Sequence, residues 1–466
     1  MAETVNRLRV TGLSLLLLLA GCGQKQMPDP LRVSLIGDSQ GTLRRALMQG
    51  LVSFDASGGV EPGLAERWIV TDGGLSYIFR IRDADWSSGR PIRAAEVAVV
   101  LRRALLGAAP SPLFANVESV TPMTGQIIEI RLKRPQPDFL ALLALPESGI
   151  ALSGHGTGPY FVHSRRNGVS RLRPLKPRAH AALPDEDAGA RDVRIRSETS
   201  SLAVARFAGG TLDMVSGGTA TDLPFALITK LPASQLKLEP ARGLFGLAVA
   251  RADGPLKNRN LRFALSLALD RSAITSRFGV NDWPLAETVL PPAQSFTPAS
   301  LESFSLTAKE RLAKAQALAG SEPKTLRVYL PKGPGMRAIM ATLAANWRPL
   351  HVNLVSAERP ELADLKLIDE VAPLSSPFWY LDRLGCRKIR PCEEGTDALL
   401  SRALTAETAE DRLTFLKQAD SAITSAHYFI PIARPLRWSL VRDTVSGWKD
   451  SPLAVHPLPD LQAKGR

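Results

Sequence analysis

The sequence predicts an α/β protein built from domains that are discontinuous in sequence. Three observations lead there. Strand and helix patterns mix along the chain without a strict βαβ alternation. The 466 residues amount to two or three domains at roughly 150 residues each. No repeat of fixed period and no long low-complexity tract organises them otherwise.

The elements follow in order. Leu31–Ile36 alternates apolar and polar up to Leu35 and closes on Gly37-Asp38, a strand signal. Thr42 to Leu51 reads as a helix. Tyr77 to Arg82 is a second strand, entered through the turn Asp72-Gly73-Gly74. Ala94 to Leu106 is a helix with Arg102 and Arg103 on its polar side, and Ile127 to Leu132 is a strand stopped by Pro135 and Pro137. The pattern resumes after Gly158-Pro159. Ala308 to Ala319 and Ala406 to Ser425 read as long amphipathic helices.

The start of the chain has a different character. Arg7 and Arg9 precede an apolar run from Val10 to Ala20 that ends in Leu19-Ala20-Gly21-Cys22. A charged start, a short apolar core and small residues at the cut site describe a secretory signal over residues 1–21. A core of about ten residues is too short to span a ~30 Å hydrocarbon layer. Leu-Ala-Gly-Cys resembles the bacterial lipobox, which implies lipidation of Cys22 and a polar tether over residues 22–30. No later run of eighteen apolar residues suggests a further span.

Composition narrows the partners. Formal charge is +13, but the basic residues are dispersed with no run of five, and the chain is exported. A basic surface over anionic lipid fits better than nucleic acid. Cys386 and Cys392 are separated by five intervening residues in a loop-like stretch of a chain expected to be exported, so a disulfide is expected there rather than a metal pair. The six histidines are scattered, none at i, i+4 with another or beside a cysteine, so neither a metal site nor a cofactor is expected.

Several segments, in order, are similar to extracellular solute-binding protein family 5, the oligopeptide- and dipeptide-binding lipoproteins of bacterial ABC importers. They are Gln49 to Asp55, Glu61 to Trp68, Ser76 to Arg82, Trp86 to Val97, Gly156-Thr157-Gly158-Pro159-Tyr160, Leu261 to Arg271 and Tyr428 to Ile432. Each also has a plain physical reading. Trp68 and Trp86 fill a core, and Gly89-Arg90-Pro91 turns the chain into a helix. Gly156 and Gly158 let it bend tightly between lobes, and Arg262 pairs with Asp270.

The resemblance implies a two-lobed periplasmic-binding-protein clamp of class II type with an extra inserted subdomain. The first lobe is expected from residues 31–51, 156–242 and 431–466, the inserted subdomain from 52–155, and the second lobe from 243–430. It implies a peptide or peptide-like small solute held between lobes and handed to a membrane permease driven by its ATPase subunits. It implies a monomer on the periplasmic face of the envelope, lipid-anchored. No phosphate-cradling Gly-x-x-x-x-Gly-Lys-Ser/Thr is present, so ATP hydrolysis is not expected of this chain. A ligand-sensing receptor derived from the family is the alternative. An exported hydrolase is disfavoured because no Gly-x-Ser-x-Gly elbow accompanies Ser39, Ser153 or His155.

By order along the chain, the resemblance places the ligand between the loop Gly37 to Thr42 (Asp38, Ser39, Gln40) and the stretch Asp369 to Tyr380. Family members often carry an amine-binding Asp four residues before a Pro. Counted from Pro373 that position holds Asp369; counted from Pro377 it holds Pro373 and the match fails. Glu370 stands where an aromatic is usual. Asp369 and Glu370 are therefore the acids expected to meet a cationic group, or else solvated loop charges. Trp379 either stacks on the ligand or fills a core.

Overall fold

The computed structural model describes residues 29–37, 40–107, 112–175, 191–292, 296–299 and 305–463. The leader at 1–21, Cys22, all but the end of the tether, and the candidate pair Asp38 and Ser39 lie outside them. Three sheets organise the described chain.

The first has seven strands, in the order Tyr160–Arg166, Val169–Pro174, Val193–Glu198, Leu31–Ile36, Met214–Thr219, Leu436–Val441 and Leu236–Pro240. Leu31–Ile36 lies parallel to both neighbours, with Leu31, Val33 and Leu35 buried, as its alternation requires. Ser34 is buried too, and its hydroxyl donates to Glu198 at 3.1 Å.

The second sheet has five strands, in the order Val352–Ser356, Lys324–Tyr329, Leu365–Val371, Gly243–Val249 and Phe429–Ala433. Gly243–Val249 is buried at every position because it is paired on both edges and covered on both faces. A Cβ on Gly243 would sit 2.0 Å from the Glu370 carbonyl oxygen, so only glycine fits where the chain enters this sheet. The last strand stays here through Ala433, so a boundary drawn between 430 and 431 cuts it in two.

The third is a four-stranded antiparallel sheet, in the order Ala65–Thr71, Ser76–Ile81, Ile127–Leu132 and Val117–Pro122. Helix Ala94–Leu106 covers it through Ala94, Val97, Ala98, Leu101 and Leu105, all buried. Trp86 is fully buried in this core, while Trp68 packs half-buried against its edge. Gly156 and Gly158 close the excursion, and their need is space. A Cβ on either would meet Leu47 backbone at 1.9 and 2.4 Å.

Some local expectations shift. The first helix is Gln40–Leu47, ending four residues before Leu51. The late helix starts at Ala409, where the Thr408 hydroxyl accepts from the Asp411 N–H at 3.0 Å, and a separate helix, Thr396–Thr405, precedes it. Arg262 does not pair with Asp270. Its buried guanidinium donates to the carbonyls of Ala426, Leu256 and Lys257 and lies over the Tyr428 ring. Asp270 instead caps Arg271–Ser276, accepting from the Ala273 N–H at 2.9 Å. Cys386 and Cys392 are joined as a disulfide.

Candidate functional site

The body around the seven-stranded sheet connects to the five-stranded body by only two crossings among the described residues. One runs from Pro240 to Gly243 and the other from Ala433 to Leu436. Just past the second crossing sits Arg437, opposite Thr219 on one neighbour and Glu239 on the other. Its Nη1 donates to Asp369 Oδ1 at 2.7 Å and its Nη2 to the Asp369 carbonyl oxygen at 3.3 Å. Asp369 belongs to the other body, on Leu365–Val371 and paired in register with Phe245. The two side chains are only 14% and 13% exposed. Burial pushes the Asp369 carboxyl above the usual carboxylate range, and Arg437 pulls it back.

Beside this pair, Asp222 accepts from the Thr219 hydroxyl at 3.3 Å, and burial pushes its carboxyl up to about 6. Behind Arg437, at the end of strand Leu31–Ile36, a cavity of about 80 Å³ is walled by Ile36, Thr42, Ser216, Glu239, Arg437 and His456, among others. Glu239 Oε2 lies 3.0 Å from His456 Nε2, and its Oε1 accepts from the Ser451 N–H at 2.7 Å. The His456 ring stacks on Trp448, with centroids 3.8 Å apart. The site is thus a set of buried hydrogen-bonding groups held in fixed geometry by strand register, suited to binding.

The other expected residues are placed as follows. Thr42, at the end of the expected loop, reaches the cavity wall, while Gln40 opens its helix and is exposed. Glu370 is held by Arg383, whose Nε and Nη2 donate at 2.6 and 2.5 Å. Trp379 lies half-buried on helix Pro377–Leu384, packed against the core of the five-stranded body and edge-on to Tyr380. Pro377, not Pro373, is the proline that opens this helix, so Asp369 stands inside a strand. Arg437, Asp222, Glu239 and His456 were not singled out in the sequence. The only signal for Arg437 was one charge inside an otherwise uncharged strand.

A second seam joins the four-stranded region to the five-stranded body. Asp138 accepts from the Ser376 hydroxyl at 3.0 Å and from Arg412 Nη2 at 3.3 Å. Leu374 is buried in the apolar cluster of the four-stranded region. A cavity of about 300 Å³ opens alongside, with Leu113, Asn116, Gln136, Leu404 and Arg412 in its wall.

Comparison with known proteins gives consistent findings. The family described as bacterial extracellular solute-binding proteins, family 5 middle, matches residues 59–360. The probable ABC transporter periplasmic-binding protein SapA of Escherichia coli (strain K12) is 22% identical over 84% of this chain and 82% of its own length. The probable di/tripeptide-binding protein 5 of Pseudomonas aeruginosa (strain UCBPP-PA14) is 24% identical over 87% of this chain and 88% of its own length. Among solved structures, Haemophilus influenzae OppA in complex with RPPGFSPFR superposes with a TM-score of 0.76 at 18% identity, covering 94% of this chain and 100% of that one. The Escherichia coli murein tripeptide binding protein MppA gives 0.75 at 19% identity, covering 94% and 99%. The fold is therefore the two-lobed clamp.

Proposed function

The chain belongs to the bacterial extracellular solute-binding proteins of family 5, and from that premise we propose that it captures a peptide or peptide-like solute between its lobes and delivers it to the permease of an ABC importer. The observation that carries this reading is the Arg437–Asp369 seam. One residue comes from each lobe, and the pair lies beside a polar cavity at the end of a central strand. Such seams are where a clamp closes on its ligand. The protein binds and releases; it does not transform. The units we propose are 31–51 with 156–242 and the segment after 433 for the first lobe, 52–155 for the inserted subdomain, and 243–433 for the second lobe. We further propose that Cys22 carries the lipid that holds the protein to the membrane. Cys22→Ser then moves the protein to the soluble fraction, and continued membrane retention refutes the anchor.

The carboxylates expected to receive a peptide amine are already held by arginines of the chain itself, Asp369 by Arg437 and Glu370 by Arg383. A solute without a free amine therefore suits the site. Native mass spectrometry of protein purified without refolding tests the function. A carried peptide-like solute, released with unchanged mass, is the expected result. A chemically altered product refutes it. With the solute identified, acetylation of any amine it carries should change affinity by less than about tenfold, well short of the 2–5 kcal/mol of a broken buried charge pair.

A further inference from the structure

We propose that Asp138, Ser376 and Arg412 form a latch that holds the inserted subdomain against the second lobe and that releases through a change of helix cap. The proposal rests on the clamp reading above and assigns the residues that set how readily the clamp opens.

The evidence begins with local structure. Ser376 immediately precedes helix Pro377–Leu384, in extended backbone at φ −119° and ψ 127°, the usual conformation of a capping residue. Serine is favoured there because its oxygen accepts a first-turn N–H. Ser376 does not do so. Asn258, Asp270, Thr307 and Thr408, at the same kind of position, cap their own helices, whereas Thr199, like Ser376, does not. The Ser376 hydroxyl instead donates across the seam to Asp138 at 3.0 Å. Asp138 itself precedes helix Phe139–Leu143 and makes no side-chain cap either. Its two oxygens also receive Arg412 Nη2, at 3.3 and 3.4 Å.

The placement gives these bonds a role. The inserted subdomain enters and leaves through the first lobe, so no chain segment ties it to the second lobe. Everything across this seam is non-covalent. The seam is also loosely filled, with a cavity of about 300 Å³ beside Arg412. When it opens, a side-chain rotation returns the Ser376 hydroxyl to its own helix, while Asp138 and Arg412, 23% and 19% exposed, return to water. The three latch side chains therefore each have a partner in the opened state. A contact with a ready alternative on one side is cheap to break, as a device that opens once per transport cycle needs to be.

Hydrogen exchange on the full chain tests this, reading the amides of residues 138–143 and 376–384 in wild type, Asp138→Ala, Arg412→Ala, Ser376→Ala and Ser376→Thr. Asp138→Ala should speed exchange at residues 376–384, on the opposite side of the seam, by about five-fold, the size of one lost hydrogen bond. Arg412→Ala should do the same at residues 138–143. Ser376→Ala should speed both segments, and Ser376→Thr should restore wild-type rates. Exchange over 243–249 should stay unchanged throughout. An Asp138→Ala effect confined to 138–143 overturns the latch, as does a failure of Ser376→Thr to rescue. Exchange reads the seam and native mass spectrometry reads the solute, so either proposal can fail without the other.

Discussion

The two seams of this clamp use the same chemistry to opposite ends. Near the crossings, Arg437 and Asp369 meet at 2.7 Å with 14% and 13% of their side chains exposed, next to Asp222 and under a continuous apolar cluster. Away from the crossings, Arg412 and Asp138 meet at 3.3 Å, more exposed and beside a cavity. A buried pair that loses one partner leaves a charge with nowhere to go, whereas a half-buried one beside a cavity reaches water more easily. The inner pair fixes how the lobes join, and the outer one governs whether they part.

The sharpest test is to delete one acid from each seam. Asp369→Ala should cost about 3–5 kcal/mol of unfolding free energy by denaturant titration, because Arg437 is left buried without its ion-pair partner. Comparable losses from Asp369→Ala and Asp138→Ala would dissolve the distinction between the seams.

The second test uses pH at the inner seam. Asp222 has a folded-state pKa of about 6, above its unfolded value. The folded state therefore holds the proton more tightly, so this stabilisation is full below the unfolded pKa and is lost as pH rises through about 6. Between pH 4 and 7, wild type should lose about 2 kcal/mol relative to Asp222→Asn. Parallel pH profiles of the two proteins would show that Asp222 is not desolvated. Asp420, buried in the second lobe and also raised to about 6, adds a slope of the same sign to both proteins and cancels in the comparison.

Thr408→Ala supplies the reference for an ordinary cap. Losing its bond to the Asp411 N–H should cost about 1 kcal/mol by thermal unfolding. The smallest effect belongs to the outer seam. Asp138→Ala should cost less than about 1 kcal/mol in the same measurement, even as it accelerates exchange across the seam.

Much of the fold was readable because local signals agreed. Ala94–Leu106, Ile127–Leu132 and Ala308–Ala319 have the bounds their periodicity implies, each closed by a residue that cannot continue it or by a cap. The late helix starts three residues after the point its periodicity implies, because Thr408, with Asp411 three positions on, caps it there. The site was less legible for a physical reason. Asp369 stood out by its spacing to a proline, yet what it touches is Arg437, 68 residues later, on a strand inserted between two others distant in sequence. Glu239 and His456 meet across 217 residues. No periodicity reports a contact set by sheet order. The Ser376 hydroxyl was equally hidden, since a serine before Pro377 reads as a cap and only the folded chain shows it turned away.

The place of strand Leu436–Val441 bears on how the protein is made. It lies inside the first sheet, between Met214–Thr219 and Leu236–Pro240, and nearly two hundred residues separate it from the nearer of them. The first lobe cannot complete its sheet until almost the whole chain has been synthesised. The amino-terminal half lacks the strand that joins Leu236–Pro240 to the rest of this sheet, and the edges facing that gap stay unpaired until the last strand arrives.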